Sequence, residues 1–385
     1  MNAQKPTANG VTAFFLSDIP IARFYWRIVQ ALDLQRHPCL FVIQDEQVRR
    51  YAEAHFSGIE TLWVPMFRHP QLMDNIKSKP ALHANIMADI HRSMEYVFHH
   101  VDEDECLARF LSTFCILKTL FDRIPVRRMF VGSGAAVVTK ACAFTCKMHN
   151  VERRFIEQSN LPDTVFLDPI GVNADSSLAR DPAKLDAFPD VSNELHQHWM
   201  LRYEKFKQRI PPQARNNPQA HLIEQASSDR VLESEQPFIF APLQVSHDAQ
   251  LALYTDKINE DLIRHSAAEA QRTRRWLVVK IHPAEVNVAE IQKVVALKAQ
   301  LGFALSAENT TRLLQQAEKV ITINSTVGLE AQLYGKELEI LGDCFYRHFN
   351  RSRLRKYIHH YLFGPVKFFS DEPISTGVAR RFIQG

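Results

Sequence analysis

The chain has 385 residues, more than a single hydrophobic core usually holds, so two domains are expected. Its 46 basic and 43 acidic residues leave a net charge of +3, which argues against a nucleic-acid binder. Six cysteines without a paired CxxC spacing argue against a disulfide framework or a zinc site and indicate a reducing compartment. The N-terminus lacks the apolar core of a signal peptide, and no run approaches the ~20 apolar residues of a membrane span. We therefore expect a cytoplasmic protein, either soluble or peripheral to the inner membrane.

Strand and helix patterns alternate in the first half of the chain, which predicts a parallel sheet. The patterns predict, in order, a strand at 11–16, a helix at 21–32, a strand at 37–43, a long helical region at about 80–122 and a strand at 128–131. The last of these strands runs into Gly132-Ser133-Gly134. This glycine pair lacks the third glycine of a dinucleotide loop, so it predicts a tight turn into a helix rather than a cofactor site.

Two short strands and a polar stretch complete this half. The strand at 154–157 ends in Glu157, and the strand at 164–168 leads to Gly171. Residues from about 180 to 235 are polar and helical, and they are interpreted as a lobe edge and linker. The second half then repeats the alternation, with predicted strands at 237–245, 275–283, 303–305, 319–323 and 337–341.

Polar residues follow three of these apolar runs at the point where each run ends. They are Gln244 and Asp248 after the first run, His282 and Pro283 after the second, and Asn324 and Ser325 after the fourth. Open α/β sheets bind ligands outside the carboxyl ends of their strands, so we expect these residues on one edge of a sheet. Each run taken alone also fits a strand that enters a solvated loop.

The segment 324–331 predicts an anion site at the start of a helix. Ser325 and Thr326 can cap that helix, and the free N–H groups of its first turn favour a phosphate, as does the positive end of the macrodipole. Gly328 is interpreted as leaving room for a ligand. Glu330 is interpreted as an acceptor of hydrogen bonds from a ribose attached to the phosphate. An ordinary capped helix after a buried strand is the structural alternative.

Five short motifs in this order resemble those of a known enzyme family. They are Glu157-x-x-x-Leu161-Pro162, Gly171-Val172-Asn173-Ala174-x-Ser176-Ser177-Leu178, Gln244-Val245-x-x-Asp248, Lys280-Ile281-His282-Pro283 and Ser325-Thr326-Val327-Gly328-Leu329-Glu330-Ala331. Their order and spacing, over about residues 155–342, resemble the capsule polysaccharide biosynthesis family of bacterial retaining β-Kdo glycosyltransferases. The first ~150 residues carry no motif of that family.

The resemblance implies the GT-B architecture, an α/β fold with two Rossmann-like domains facing each other across a cleft. We predict a disordered N-terminus at 1–10, an acceptor domain at 11–234, a nucleotide-sugar (donor) domain at 235–365 and a segment at 366–385 that returns to the N-terminal domain. The implied donor is CMP-β-Kdo, and the implied acceptor is a glycan or glycolipid of the lipopolysaccharide O-antigen or capsule type. We expect neither a cofactor nor a metal, because no convincing Asp-x-Asp motif stands at a strand end.

The implied chemistry gives each site residue a role. One helix N-terminus suits the single phosphate of CMP, and a retaining reaction calls for a carboxylate nucleophile or a front-face attack. We assign Asp248 as nucleophile and Glu157 as general acid/base, although Asp248 can equally be a helix cap and Glu157 an ion-pair partner of Arg153 or Arg154. The predicted donor-binding residues are Gln244, Lys280, His282, Pro283, Asn324, Ser325, Thr326, Gly328 and Glu330.

Two further possibilities remain open at this stage. The fold also fits a UDP-sugar transferase or epimerase, or a non-catalytic nucleotide-binding scaffold in polysaccharide assembly.

Basic residues at 351–356 interleave with Tyr357, Tyr361, Leu362 and Phe363, which predicts either a helix seated on an anionic membrane or a core-facing helix with a solvated basic face.

Overall fold

The computed structural model describes residues 10–159, 161–208 and 217–384. It divides into two compact units. Unit 1 contains the chain up to Ser177 and again from His360, and unit 2 contains Leu178–His359. Each unit holds its own largely parallel sheet, so the predicted α/β class with two Rossmann-like domains is confirmed. The predicted disordered segment lies outside the described residues except for Gly10.

The strands and helices follow one another in the βα order expected of such domains. The strands are β1 Val11–Leu16, β2 Cys39–Ile43, β3 Glu60–Trp63, β4 Val126–Phe130, β5 Glu152–Gln158, β6 Val165–Asp168, β7 Phe238–Pro242, β8 Trp276–Lys280, β9 Ala304–Leu305, β10 Lys319–Thr322 and β11 Glu337–Ile340. The α-helices are α1 Ile19–Gln30, α2 Glu46–His55, α3 Pro70–Lys77, α4 Pro80–Ile90, α5 Met94–Val97, α6 Glu103–Arg123, α7 Val137–Met148, α8 Ser177–Arg180, α9 Asn193–Lys207, α10 Ala220–Ala226, α11 Ala249–Tyr254, α12 Asn259–Thr273, α13 Val288–Leu301, α14 Thr310–Gln316, α15 Thr326–Leu333, α16 Arg351–Lys356 and α17 Thr376–Gln384.

The helical region predicted at 80–122 is not continuous. Helix α4 ends at Ile90, and α6 begins only at Glu103, with the short α5 between them. The Asp102 side chain accepts a hydrogen bond from the Glu105 N–H at 2.7 Å and so caps α6. The acidic run 102–105 therefore marks a helix start, where carboxylates oppose the positive end of the helix dipole.

The sheet of unit 1 has the strand order β3-β2-β1-β4-β5-β6. Neighbouring strands are parallel except β6, which runs antiparallel to β5. Aromatic rings fill the core on one face: Phe14 of β1 stacks on Phe130 of β4 at 5.0 Å, and Phe130 stacks on Phe382 of α17 at 4.7 Å. Helix α17 thus completes the core of unit 1, although it lies at the other end of the chain.

A buried carboxylate organises the turn after β6. Asp168 is fully buried and accepts hydrogen bonds from the N–H groups of Ile170, Gly171 and Ser177 at 2.7, 3.1 and 2.9 Å. The Tyr361 hydroxyl donates a fourth, at 2.6 Å. Ser177 is the last residue of unit 1 before the chain leaves it, and Tyr361 lies just after the chain returns. The Asp168 carboxylate therefore holds both the segment by which the chain leaves unit 1 and the segment by which it returns.

The sheet of unit 2 is entirely parallel and has the order β11-β10-β7-β8-β9. From the central β7 the chain builds outward in one direction through β8 and β9, and then in the other through β10 and β11. The strand order therefore reverses between β7 and β10, and this reversal is the topological switch point at which doubly wound sheets bind ligands.

The division into units differs from the predicted boundaries at 234/235 and 365/366. The structure assigns residues 178–208 and 217–234, which we interpreted as a linker of the first domain, to unit 2. The reason lies in tertiary contacts, because α9 carries Tyr203, which is buried and hydrogen-bonded to Glu330 of α15. Polar composition alone does not reveal such contacts.

We expect Asp168→Ala to destabilise the protein by about 3–5 kcal/mol, because it removes a buried carboxylate that accepts four hydrogen bonds, two of them from the buried N–H groups of Gly171 and Ser177. Urea unfolding measures the loss. The control is Asp122→Ala, which removes an exposed carboxylate paired with Lys118 one helical turn away and should change the midpoint little. Equal midpoints for the two variants would show that Asp168 does not organise this turn.

Candidate functional site

Two buried side-chain amides join the strand ends at the switch point of unit 2. The Gln244 Nε2 group donates to Asn324 Oδ1 at 2.9 Å, and the Asn324 N–H donates to Gln244 Oε1 at 3.3 Å. Asn324 also donates through Nδ2 to the Gln250 carbonyl at 2.9 Å, and Asn259 holds the Gln244 backbone. Both residues were predicted to bind the donor. The structure uses these polar groups to fix the site's two loops to each other.

The turn after β8 presents His282 in a defined tautomer. Its Nδ1 accepts a hydrogen bond from the Ala284 N–H at 3.1 Å, so the proton of the neutral ring is on Nε2. Burial lowers the pKa of His282, against the opposing effect of the Asp248 and Glu285 carboxylates. Pro283 follows at the sharp turn, and its carbonyl accepts from Asn217 Nδ2 at 2.8 Å. His282 therefore offers an uncharged Nε2–H donor.

Lys280, the last residue of β8, supplies a cation near the same edge. Its Nζ donates to the carbonyls of Ala307 and Glu308 at 2.9 and 2.7 Å, which leaves one of its three protons for another acceptor. Burial lowers the pKa of Lys280 to about 8. The side chain thus carries its charge at neutral pH and loses it at mildly alkaline pH.

The turn after β10 begins α15 as predicted. Ser325 is the N-cap residue, and its Oγ accepts from the Val327 N–H at 3.2 Å, with Thr326 at the first helical position. Gly328 has a close neighbour that the sequence did not predict. A Cβ on Gly328 would lie 2.5 Å from the Tyr346 hydroxyl, which itself donates to the Ser325 carbonyl. The glycine therefore makes room for Tyr346, which holds the turn, and its predicted contact with a ligand stays a prediction.

Glu330 is also placed differently from the prediction. It is buried, and Lys207 Nζ and the Tyr203 hydroxyl donate to its two oxygens at 2.5 and 2.8 Å. A carboxylate so engaged anchors α9 to α15. Its predicted contact with a ribose stays a prediction and would have to use the lone pairs that remain. Sequence reasoning missed Tyr203 and Lys207, because both lie in the stretch interpreted as linker.

Asp248 follows β7 by six residues and is half-buried. Its Oδ1 accepts from the Gln250 N–H at 2.9 Å, so Asp248 is the N-cap of α11, the structural role considered above. The other oxygen, Oδ2, accepts no hydrogen bond from any residue in the described part of the chain. The Asp248 charge acts to raise the pKa of His282, against the larger lowering of that pKa by burial.

Glu157 lies near the carboxyl end of β5 in unit 1. Its Oε2 accepts from Asn173 Nδ2 at 2.9 Å, which brings together two of the motifs that carried the family resemblance. Arg154, considered as an ion-pair partner, bonds Glu152 at 2.5 Å. Arg153 donates to the Ala143 carbonyl. Asp248 and Glu157 thus belong to different units.

Two of the four basic residues of helix α16 pair with carboxylates in unit 2. Arg353 makes two hydrogen bonds to Asp186, at 2.9 and 2.6 Å, and Lys356 pairs with Asp190 at 3.0 Å. Tyr357, proposed as part of an apolar membrane face, is buried. These contacts favour the core-facing alternative for this helix. In the described ranges, no helix combines the length and apolar character needed to cross a bilayer.

A family model and curated proteins match this chain. Residues 202–353 match the family model described as capsule polysaccharide biosynthesis protein. Protein FixF of Sinorhizobium fredii is 30% identical over 202 residues, which cover 51% of this chain and 44% of that protein. Capsule polysaccharide export protein KpsS of Escherichia coli is 26% identical over 231 residues, 48% of this chain and 59% of that protein. The chain spans about half the length of the curated relatives it matches.

Solved structures also align with most of the chain, at low identity. Thermosulfurimonas dismutans KpsC, beta Kdo 2,7 transferase, aligns with a TM-score of 0.43 and 14% identity over 97% of each chain. UDP-GlcNAc 2-epimerase from Neisseria meningitidis, bound to UDP-GlcNAc, aligns with a TM-score of 0.30 and 12% identity over 97% of this chain and 90% of that one.

We expect Gly328→Ala to destabilise the protein by about 1–3 kcal/mol, because the added methyl group overlaps Tyr346. Adding Tyr346→Phe removes the nearest overlapping atom, so the double variant should lose less than the sum of the two single variants. Urea unfolding of all three measures the coupling. Gly377→Ala, where a Cβ meets nothing within 4 Å, is the control. Strictly additive losses of unfolding free energy would mean that Gly328 is not needed to make room for Tyr346.

Proposed function

We propose that this chain, whose residues 202–353 match the family model described as capsule polysaccharide biosynthesis protein, is a retaining β-Kdo glycosyltransferase. Its donor is CMP-β-Kdo, and its acceptor is a glycan or glycolipid of the O-antigen or capsule type. The catalysis proposed here uses no metal or cofactor. It takes place in a bacterial cytoplasm or at the inner face of the inner membrane.

The observation that carries this proposal is the set of donors at the switch point of unit 2. His282 offers Nε2–H at the end of β8, and the first turn of α15 begins at Ser325 after β10. These strands flank β7, so their ends lie about 10 Å apart, at roughly 4.8 Å per strand. One monophosphate fits between one helix N-terminus and one imidazole, whereas a diphosphate would call for further ligands.

In the first step, Asp248 attacks the anomeric carbon of Kdo and the bond to the CMP phosphate breaks. A glycosyl ester forms on Asp248, and the electron pair of the broken bond leaves on CMP. The free Oδ2 of Asp248 is the oxygen available for this attack, since Oδ1 caps α11. Negative charge grows on the departing phosphate, where the His282 donor and the Lys280 charge stabilise it more than in the ground state.

In the second step, an acceptor hydroxyl attacks the same carbon from the opposite face and Asp248 is released as a carboxylate. Glu157 takes the proton of that hydroxyl. Its Oε2 accepts the hydrogen bond from Asn173 Nδ2, which holds the carboxylate in place. Two inversions in sequence give net retention of the anomeric configuration.

The direct test is incubation with CMP-Kdo, generated in situ, and a panel of glycan acceptors, with products analysed by mass spectrometry. We expect a product one Kdo residue heavier and retained in configuration. Asp248→Asn should fold and bind CMP but lose transfer by 10³-fold or more, on the order of the loss of a nucleophile. The control is Asp256→Asn, which changes an exposed carboxylate paired with Lys257. An inverted product, or an active Asp248→Asn, would contradict the mechanism.

We expect His282→Ala to weaken CMP binding by about 10–100-fold, because one hydrogen bond to a charged group is lost. Calorimetric titration with CMP and with UDP measures both affinities, and the wild type should prefer CMP. His265→Ala removes an imidazole bonded to Glu339 on the same unit and should bind CMP as the wild type does. Unchanged CMP affinity in a folded His282→Ala protein would rule out the phosphate role.

We expect the affinity for CMP to fall between pH 7 and 9.5. The Lys280 pKa of about 8 means that the ammonium is charged below that pH and neutral above it. The CMP phosphate, with a second pKa of about 6, keeps its charge over this range. Lys280→Arg stays charged throughout and should flatten the profile. A wild-type profile that is already flat would show that the Lys280 charge does not contribute.

A further inference from the structure

Glu285 is a buried carboxylate that the proposed reaction does not use. It is 1% exposed and belongs to the turn after β8, three residues beyond His282. Its Oε2 accepts from the Ser246 N–H at 2.7 Å, and its Oε1 accepts from the Ser246 hydroxyl at 3.2 Å and the Asn287 N–H at 2.8 Å. Taking a carboxylate out of water is costly unless such donors replace its hydration.

These bonds join two loops that carry different parts of the proposed chemistry. Ser246 lies two residues before Asp248, in the loop after β7, and Glu285 lies in the loop that carries His282. Since β7 and β8 are neighbouring parallel strands, the two loops leave the same edge of the sheet. The Glu285 carboxylate therefore sets the separation between the carboxylate that attacks and the imidazole that holds the leaving group.

The two loops depend on Glu285 to different extents. The His282 turn has other supports: Asn217 Nδ2 donates to the carbonyls of Pro283 and Glu285, both at 2.8 Å, and Ala284 donates to the imidazole. Ser246, in contrast, is tied to the neighbouring loop through Glu285 alone in the part of the chain that the structure describes. Loss of the carboxylate should thus loosen the Ser246–Asp248 part of the loop, between the Gln244 and Gln250 contacts to Asn324, and leave the phosphate side in place.

We infer that Glu285 is a positioning residue that holds the Asp248 loop in register with His282 for attack on the donor. The inference rests on the proposed function. The inferred role predicts that loss of Glu285 lowers kcat and leaves CMP affinity nearly unchanged, because Glu285 acts through Asp248 and touches neither the phosphate nor the sugar. Glutamine has only one acceptor oxygen, so its NH₂ group would face either the Ser246 N–H or the Asn287 N–H, and glutamine is not equivalent to glutamate here.

The test compares Glu285→Gln with two other variants by kcat, by CMP affinity and by hydrogen exchange of the 245–248 peptide. Ser246→Ala loses only the 3.2 Å hydroxyl bond and keeps the N–H bond. Asp229→Asn changes another loop-binding carboxylate of unit 2, which accepts from the Leu305 N–H at 2.7 Å and pairs with Lys298. The Gln substitution is used because Ala at a buried site is more prone to prevent folding.

We expect Glu285→Gln to lower kcat at least tenfold, to change CMP affinity less than threefold and to speed exchange in the 245–248 peptide. Ser246→Ala should lower kcat less than threefold, and Asp229→Asn should alter neither kcat nor that exchange. A wild-type kcat in Glu285→Gln, or a parallel loss of kcat and CMP affinity, would overturn the inference. If the wild type forms no product from CMP-Kdo, the proposed function fails. Hydrogen exchange of the 245–248 peptide then tests whether Glu285 holds the loop. Faster exchange in Glu285→Gln supports this role, and unchanged exchange overturns it.

Discussion

The buried amide pair of Gln244 and Asn324 is the constraint on which the site of unit 2 depends. Each of its hydrogen bonds contributes a net ~1 kcal/mol, but leaving one of these buried groups unpaired would cost about 1–3 kcal/mol. The pair therefore matters more for specificity than for stability. It allows one arrangement of the loop after β7 against the turn after β10, and this arrangement determines where Asp248 and Ser325 lie.

The titratable groups around this pair are held in place before any ligand binds. Glu330 is neutralised by Lys207, and the tautomer of His282 is set by a backbone N–H. Preorganised dipoles of this kind need no rearrangement as charge develops on a leaving phosphate. One carboxylate oxygen, Oδ2 of Asp248, contrasts with them because it has no donor in the described structure. The proposed site thus combines preorganised donors with one carboxylate oxygen that is available for attack.

Local sequence patterns predicted the fold and the ends of the site's strands. Apolar runs that turn abruptly polar located the ends of β7, β8 and β10, because strand burial and strand termination are both local properties. The serine cap of α15 was predicted for the same reason. These features require no knowledge of which residues meet in space.

Contacts between distant residues could not be predicted in this way. Gly328 suggested a ligand, but its neighbour is Tyr346, 18 residues further along the chain. The stretch interpreted as linker belongs to unit 2 because Tyr203 reaches Glu330 across 127 positions. Glu285 and Asp168 showed no motif, since a carboxylate that binds backbone N–H groups leaves no periodic signal. The structure supplies these partners, and they explain why the predicted residues have their positions.

The central claim is that Kdo is carried on Asp248 between donor and acceptor, and one measurement tests it most directly. The protein is given CMP-Kdo without acceptor, quenched rapidly, and analysed by intact mass followed by peptide mapping. The account predicts a mass increase of one Kdo residue, located on Asp248. An adduct on Glu157 or any other residue, or turnover to a retained product with no adduct at any quench time, would contradict it.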